Sequence, residues 1–342
     1  MQRAGVLTGG GDSPGINAAI RSVVRFGRKR DVEALGFLNG WQGPLEKLVR
    51  PLGLDDVRGI LHEGGTILGS SRTNPFNVEN GVEKLLETLE QNKIDFLIAI
   101  GGDDTLGVAH RLSEHGIKAV GIPQTIDNDI PKTDYAIGFA SALEAITDAL
   151  DRLHTTACSH HRVLILEVMG RDSGWLSLLG GIAGGADIIL LPEKNFSLED
   201  IERRIQTRRA QGSDFSVVII AEGAKPVGLG GQVVADEETD AFGHVRLGGV
   251  GQYLSNQLSK RLTMPVRMTN LAYIQRGGRP CPFDRVLATR LGIAAVEFAL
   301  EGRFDVMVAV HGLEIEPVPL ADVIGTPRPL NPRFLRLVDL LD

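Results

Sequence analysis

The chain has 342 residues, enough for about two domains of roughly 150 residues each. Its 36 basic and 43 acidic side chains leave a net charge of −7, which gives no overall basic surface for DNA or RNA. Two cysteines are too few for a disulfide scaffold or a four-thiolate zinc site. No apolar run is long enough to span a membrane, and glycines interrupt the first residues before a secretory apolar core develops. We therefore expect a cytoplasmic protein with no nucleic-acid or membrane partner.

Short apolar runs typical of buried strands alternate with longer amphipathic stretches typical of helices. The predicted strands are Gly5–Leu7, Phe96–Ile100, Ala119–Ile122, Val163–Val168, Ile188–Leu191, Val217–Ala221 and Val306–Val310. The predicted helices include residues 17–28, Thr105–Glu114, Leu198–Gln211 and Asp284–Leu300. This alternation predicts an α/β protein with mainly parallel sheets flanked by helices, and ligands should bind beyond the carboxyl ends of the strands.

A glycine cluster follows the first predicted strand, in the sequence TGGGDSPGIN at residues 8–17. A glycine turn that opens a helix directs amide groups and the helix dipole at an anion. The sequence matches neither the Walker lysine loop nor G-x-G-x-x-G, because Pro14 stands where the last glycine would be. It indicates a phosphate-binding loop, and a plain strand-to-helix turn is the alternative.

Carboxylates follow the second predicted strand in the sequence GGDDT, residues 101–105. Asp103 and Asp104 stand where a helix begins, and carboxylates there can hold a magnesium ion that bridges phosphate oxygens. The alternative is that Asp104 or Thr105 only caps the helix. A cap needs one such side chain and leaves the second carboxylate unexplained.

A third junction follows the strand that ends at Ile122, in the sequence PQTIDND. Asp127 at this strand end can act as a general base toward a sugar hydroxyl. Asn128 and Asp129 can equally be turn residues. Three such junctions favour a phosphoryl-transfer site, which also needs guanidinium groups. The candidate arginines are Arg72, Arg162, Arg171, Arg267 and Arg276, and Glu222 can accept hydrogen bonds from sugar hydroxyls.

The motifs LTGGGDSPGINAAI, GGTILGSSR, GGDDT, TIDND, LEVMGR, AEG and IQRGG occur in an order that resembles the phosphofructokinase family over nearly the whole chain. GWQGPL, LGLDDV, GSSRTNP and DTLGVA are most similar to the pyrophosphate-dependent enzymes of actinobacterial type. The resemblance implies a Mg²⁺-dependent, reversible phosphoryl transfer from pyrophosphate to the 1-hydroxyl of fructose 6-phosphate. It also implies two interleaved domains. We expect residues 1–139 with about 255–305 to bind the donor and magnesium, and 140–254 with about 306–342 to bind the sugar phosphate.

The resemblance also implies individual roles. Asp127 would be the catalytic base, and Asp103 would bind magnesium. Gly10 and Arg72 would contact the donor. The other residues implied in catalysis are Asp104, Gln124, Thr125 and Arg171. The sugar-phosphate site would comprise Thr125, Ile126, Asp127, Met169, Gly170, Arg171, Glu222, Tyr273, Ile274, Gln275 and Arg276.

Arg162 and Arg267 would reach the sugar 6-phosphate from a neighbouring subunit, as in the shared active sites of the family. This implies a homo-oligomer, a dimer at least, and the family suggests a tetramer.

Two positions bear on the choice of phosphoryl donor. Family members that use ATP have glycine where Asp104 stands, and the carboxylate here would occupy the space of an α-phosphate and repel it. Pyrophosphate-dependent members usually have lysine where Gln124 stands, so ATP remains an alternative. Many relatives have histidine at the position of Tyr273, which leaves another sugar phosphate, such as sedoheptulose 7-phosphate, open. A non-catalytic sugar-phosphate-binding subunit is a further alternative, although the base and metal carboxylates are present.

Overall fold

The computed structural model describes residues 1–228, 231–239 and 245–340. The strands are β1 (Gln2–Thr8), β2 (Val32–Phe37), β3 (Val49–Leu52), β4 (Phe96–Gly101), β5 (Ala119–Thr125), β6 (Ile137–Gly138), β7 (Val163–Val168), β8 (Ile188–Leu190), β9 (Ser216–Ala221), β10 (Val234–Thr239), β11 (Val245–Leu247), β12 (Val266–Asn270), β13 (Val306–His311) and β14 (Glu314–Pro319). The helices are α1 (Ile16–Lys29), α2 (Gln42–Leu45), α3 (Gly81–Gln91), α4 (Asp103–Ser113), α5 (Phe139–His160), α6 (Trp175–Ala183), α7 (Leu198–Ala210), α8 (Val250–Arg261), α9 (Pro282–Leu300) and α10 (Pro332–Leu340). Among these helices, none is long and apolar enough to cross a membrane.

The larger sheet has the strand order β14-β13-β5-β4-β1-β2-β3, with β6 paired to β5. Its central pairs are parallel, and only β3 and β14 at the two edges run antiparallel to their neighbours. One face packs on α1 and α9 through a core that includes Ile20, Ile98 and Leu291. Leu97 and Leu106 belong to the core of the opposite face. Because both faces are covered, all six residues of β4 are buried.

The smaller sheet has the order β12-β7-β9-β8, and all its pairs are parallel. The core on one face includes Ile146 of α5 and Leu178 of α6. The core on the other face includes Ile201 of α7 and Leu254 of α8. The fold is therefore the predicted α/β arrangement of mainly parallel sheets flanked by helices. β10 and β11 form a separate antiparallel pair.

Sheet membership differs from the predicted domain division at two segments. The predicted donor segment 255–305 contains β12, which pairs with β7 in the smaller sheet. The predicted sugar segment 306–342 contains β13 and β14, which extend the larger sheet through the pairing of β13 with β5. The reason is that strand pairing decides which sheet a segment joins, and an apolar run does not by itself identify its partner strand.

The buried carboxylate of Asp284 joins the beginnings of α5 and α9. Its two oxygens accept hydrogen bonds from the backbone N–H groups of Gly138, at 3.1 Å, and Ser141, at 2.8 Å. Gly138 has a φ of 103° and lies directly against Ser13, so that a Cβ on Gly138 would come within 2.2 Å of the Ser13 hydroxyl oxygen. The start of α5 is therefore fixed against the loop that follows β1.

Candidate active site

The loops that follow β1 and β4 are in direct contact. The N–H of Gly9 donates to the carbonyl oxygen of Ile100 across 3.0 Å. A Cβ on Gly9 would lie 2.5 Å from the hydroxyl oxygen of the buried Thr105, and one on Gly101 would lie 2.6 Å from it. Glycine is required at both positions because the two loops approach each other and the first turn of α4 so closely.

The loop that follows β1, residues 9–15, is rich in glycine, and this glycine loop also packs on the segment 66–72. Thr8 donates from Oγ1 to the carbonyl oxygen of Gly69 across 2.7 Å, and Ser70 donates from Oγ to that of Gly10 across 2.6 Å. The N–H of Gly10 donates to the carbonyl oxygen of Ser71 across 3.1 Å. The Gly10 amide, which we predicted to face the donor, is therefore already paired within the protein. Arg72 follows this contact directly and is exposed.

Two side chains from other elements hold the distal part of the glycine loop. Gln124, at the end of β5, donates from Nε2 to the carbonyl oxygen of Gly11 at 3.1 Å and to Oγ of Ser13 at 2.9 Å. Arg276 donates from Nη1 to the carbonyl oxygen of Asp12 at 3.1 Å. The sequence predicts Arg276 in the sugar-phosphate pocket. In the structure its guanidinium contacts the glycine loop, because the segment after β12 runs past that loop.

Asp127 is buried just beyond β5. Its backbone N–H donates to Oγ1 of Thr125 across 3.1 Å, and no donor among the described residues reaches its carboxylate Oδ1. Burial raises the pKa of Asp127, while the positive charges of Arg276 and Arg171 act in the opposite direction. A desolvated carboxylate with one open oxygen can accept a proton from a bound hydroxyl.

Further carboxylates surround Asp127. Asp103, the exposed first residue of α4, raises the pKa of Asp127 through its negative charge, and Asp104 follows it in the same helical turn. Burial and the charges of Asp127 and Asp103 raise the pKa of Asp129 to about 8. The sequence alone leaves open whether Asp129 is a turn residue. The structure places it within electrostatic reach of Asp127, and the signal in the sequence is a second acid two residues after Asp127.

These acids do not form an all-protein metal cage. Within the described ranges, no group of three or more His, Cys, Asp or Glu residues lies close enough to hold a metal ion. Mg²⁺ is usually bound by one or two carboxylates together with substrate phosphates and water. The exposed carboxylate of Asp103, beside the glycine loop, fits a site of that kind, in which the phosphates complete the coordination shell.

The smaller sheet contributes the loop after β7 and the end of β9. Gly170 has a φ of 138° and Arg171 a φ of 51°, a turn that places the N–H of Arg171 3.1 Å from Oε1 of Glu222. Burial, together with the negative charge of Asp127, raises the pKa of Glu222 to about 7. Since Arg171 and Glu222 both interact electrostatically with Asp127, the carboxyl ends of the two sheets share one site.

The remaining predicted sugar-site residues have unequal surroundings. The side chain of Ile126 packs in the core of the smaller sheet. Gln275 is fully buried and accepts a hydrogen bond from the N–H of Met169 at 3.3 Å, so it joins two loops. Tyr273 and Ile274 are 66% and 67% exposed and leave their side chains available at the surface.

Arg162 and Arg267 lie near the amino-terminal ends of β7 and β12, whereas the candidate site lies at the carboxyl ends of the strands. Arg162 directly precedes β7, whereas Arg171 follows its end, so the two are separated by about 20 Å of strand. Arg267 is the second residue of β12 and pairs with Leu164 near the same end. The structure does not bring these two arginines to Asp127 of their own chain.

Comparison with known proteins identifies the family. The sequence model described as phosphofructokinase matches residues 3–299. The chain is 52% identical to a pyrophosphate–fructose 6-phosphate 1-phosphotransferase of Amycolatopsis mediterranei and 48% identical to ATP-dependent 6-phosphofructokinase 3 of Streptomyces coelicolor, each over 94% of both chains. The solved phosphofructokinase of Saccharomyces cerevisiae is similar with a TM-score of 0.81 and 32% identity, over 94% of this chain and 45% of the yeast chain. With this match over most of its length, the chain belongs to the phosphofructokinase family.

Proposed function

We propose that the protein transfers a phosphoryl group from pyrophosphate to the 1-hydroxyl of fructose 6-phosphate, giving fructose 1,6-bisphosphate and phosphate. The observation that carries this proposal is the buried Asp127, with an open carboxylate oxygen and the charges of Arg171 and Arg276 nearby. Relatives at 46–52% identity that are named pyrophosphate–fructose 6-phosphate 1-phosphotransferase support the same reaction.

In this reaction Asp127 accepts the proton of the sugar 1-hydroxyl. The freed oxygen forms a bond to one phosphorus of pyrophosphate while the bridging P–O bond breaks, and phosphate leaves. Arg171 and Arg276 keep Asp127 able to ionise despite its burial, and their charges stabilise the charge on the transferring group. Mg²⁺ bound with Asp103 would neutralise phosphate oxygens.

The donor follows from the second carboxylate of α4. Asp104 lies in the first turn of that helix, next to Asp103. A third phosphate near this carboxylate would meet like charge in a partly desolvated site, whereas the two phosphates of pyrophosphate leave that position empty. ATP is the second candidate donor, because Gln124 stands where pyrophosphate-dependent members usually have lysine. A relative at 48% identity that is named ATP-dependent supports this alternative.

The positions of Arg162 and Arg267 support a site shared between subunits. Both lie near the amino-terminal ends of strands in the smaller sheet, far from Asp127 of the same chain. They could therefore bind a phosphate in the site of a neighbouring chain. A homo-oligomer, a dimer at least and a tetramer by family resemblance, is therefore part of the proposal, as is a cytoplasmic location.

The experiment is a comparison of donors with the purified protein. Fructose 1,6-bisphosphate formation is measured with fructose 6-phosphate, Mg²⁺ and either pyrophosphate or ATP, and sedoheptulose 7-phosphate replaces the acceptor in a parallel series. We expect turnover with pyrophosphate and fructose 6-phosphate. Faster turnover with ATP would overturn the donor, faster turnover of the seven-carbon sugar would overturn the acceptor, and binding without turnover would indicate a non-catalytic subunit.

A further inference from the structure

The side chain of Gln124 is buried, with 1% of its surface exposed, and lies between β5 and the glycine loop. An amide nitrogen has two hydrogens to donate. Both have partners here, the carbonyl oxygen of Gly11 at 3.1 Å and the hydroxyl oxygen of Ser13 at 2.9 Å. No N–H of this side chain is left for a phosphate.

The chemistry of the partners fixes the orientation of this amide. The carbonyl oxygen of Gly11 can only accept, so the nitrogen of Gln124 must face it. The hydroxyl of Ser13 already donates to the carbonyl oxygen of Ile137 at 3.2 Å and therefore accepts from Gln124. The hydrogen bonds run in one direction, from Gln124 through Ser13 to Ile137. Oε1 of Gln124 is buried, and no donor among the described residues reaches it.

We propose that Gln124 is a positioning residue that holds the Gly11–Ser13 part of the loop in the conformation that binds the donor. This inference rests on the proposed function, in which that loop contacts pyrophosphate. The carbonyl oxygen and the N–H of a trans peptide point in opposite directions. By holding the carbonyl oxygen of Gly11, Gln124 fixes the direction of the N–H of Asp12.

Arg276 acts on the next peptide of the same loop. Its hydrogen bond to the carbonyl oxygen of Asp12 fixes the direction of the N–H of Ser13 in the same way. The loop is thus held by Gln124 from the strand that leads to Asp127 and by Arg276 from the segment after β12. A lysine at position 124 carries three N–H donors and can satisfy the same two acceptors. The glutamine therefore keeps the positioning role that a lysine would have, without its positive charge.

The test compares Gln124→Met, which has a similar length but no N–H donor, with Gln124→Lys. Initial rates are measured over pyrophosphate at saturating fructose 6-phosphate, and over the sugar at saturating pyrophosphate. We expect Gln124→Met to lower kcat/KM for pyrophosphate by about 10- to 100-fold, with the KM of the sugar within about twofold of wild type. Gln124→Lys should retain most of the wild-type kcat/KM for pyrophosphate.

A double-mutant cycle with Ser13→Ala separates positioning from general loss of structure. Because Ser13 and Gln124 belong to one hydrogen-bond chain, their effects on kcat/KM for pyrophosphate should be less than multiplicative. Thermal unfolding identifies a variant that fails to fold, and Gln124→Leu then serves as the second variant, since it is also apolar and has no donor for Gly11 or Ser13.

Three results would overturn the inference while leaving the proposed function intact. The first is an unchanged kcat/KM for pyrophosphate in Gln124→Met. The second is an equal rise in the KM of both substrates in that variant, and the third is fully multiplicative effects in the double-mutant cycle. Absence of pyrophosphate turnover in the wild-type protein would instead contradict the proposed function. If ATP is then the donor, kcat/KM for ATP and for the sugar are compared in the same way, because Gln124 would hold the loop for either donor.

Discussion

Arg276 donates from Nη1 to the carbonyl oxygen of Asp12 across 3.1 Å, so a guanidinium that follows the smaller sheet contacts the glycine loop of the larger one. The same positive charge lowers the pKa of Asp127 against the effect of burial. One side chain therefore contacts the glycine loop and also acts on Asp127, the proposed base. This relationship makes the ionisation of Asp127 depend on a residue from another part of the chain.

Replacing Arg276 should move the pH dependence of the reaction. Without that cation the pKa of Asp127 rises further, so in Arg276→Met the acidic limb of the kcat/KM profile should shift to higher pH. Rates between pH 5 and 9 measure the shift. Arg279→Met removes an exposed arginine three residues later and should leave the limb in place. An unchanged limb in Arg276→Met would contradict the assigned coupling.

Removing the base should affect turnover more than binding. Asp127→Asn keeps the shape of the side chain but cannot accept the hydroxyl proton, so kcat should fall by about 10²- to 10⁴-fold while the dissociation constant of fructose 6-phosphate changes little. Calorimetric titration and steady-state rates give the two quantities. Asp151→Asn, on an exposed position of α5, is the matched control. Turnover that survives in Asp127→Asn would remove Asp127 from the mechanism.

The carboxylate of Asp104 should exclude ATP. Asp104→Gly removes both volume and charge and should give measurable ATP binding and turnover, whereas Asp104→Asn, which keeps the volume, should give a smaller gain. The KM for ATP and for pyrophosphate is measured for all three proteins. If neither variant gains affinity for ATP, occlusion at this position is not what selects the donor.

The partly buried Glu222 should make stability depend on pH. Its pKa is about 7 in the folded chain against an ordinary value of 4.5, so the folded protein retains a proton that the unfolded chain releases. The stability linked to this proton is present below pH 4.5 and is lost as the pH rises through about 7.

Glu222→Gln keeps an oxygen for the N–H of Arg171 but does not titrate. This variant therefore separates the effect of the Glu222 proton from other pH-dependent contributions to stability. The quantity of interest is the free energy of unfolding of the variant minus that of the wild type. This difference should be larger at pH 8 than at pH 4.5, by on the order of 3 kcal/mol. Urea unfolding at fixed protein concentration measures the difference. An equal difference at both pH values would exclude a raised pKa.

A shared site predicts complementation between inactive chains. Asp127→Asn disables the base, and Arg162→Ala disables an arginine that we propose serves the neighbouring chain. When the two variants are unfolded together and refolded, mixed oligomers contain sites with both residues intact, and activity should rise to about a quarter of wild type for a dimeric unit. Refolding each variant alone is the control. No gain on mixing would place both residues in one chain's site.

The sequence identifies the buried strands because their apolar runs are continuous. The predicted Phe96–Ile100 is found within β4, and Val163–Val168 is β7. β12 was not predicted because it is an edge strand with mostly exposed or partly exposed residues, which interrupts the apolar pattern. For the same reason its sheet could not be inferred, and the proposed domain limits there differ from the strand pairing.

For the site, the sequence indicates residues whose position follows from a strand end, such as Asp127 and Glu222. The sequence does not indicate which hydrogen bonds form between separate loops. The pairing of the Gly10 amide with Ser71 and the contact of Arg276 with the glycine loop are set by how separate loops pack. A motif gives the identity of these residues but not the partner that each one contacts.

The reverse reaction tests the choice of donor most directly. The protein is incubated with fructose 1,6-bisphosphate and Mg²⁺, with either phosphate or ADP, and phosphorus NMR follows the products. We predict that a pyrophosphate signal appears with phosphate and that no ATP forms with ADP. ATP formation without any pyrophosphate signal would contradict the account.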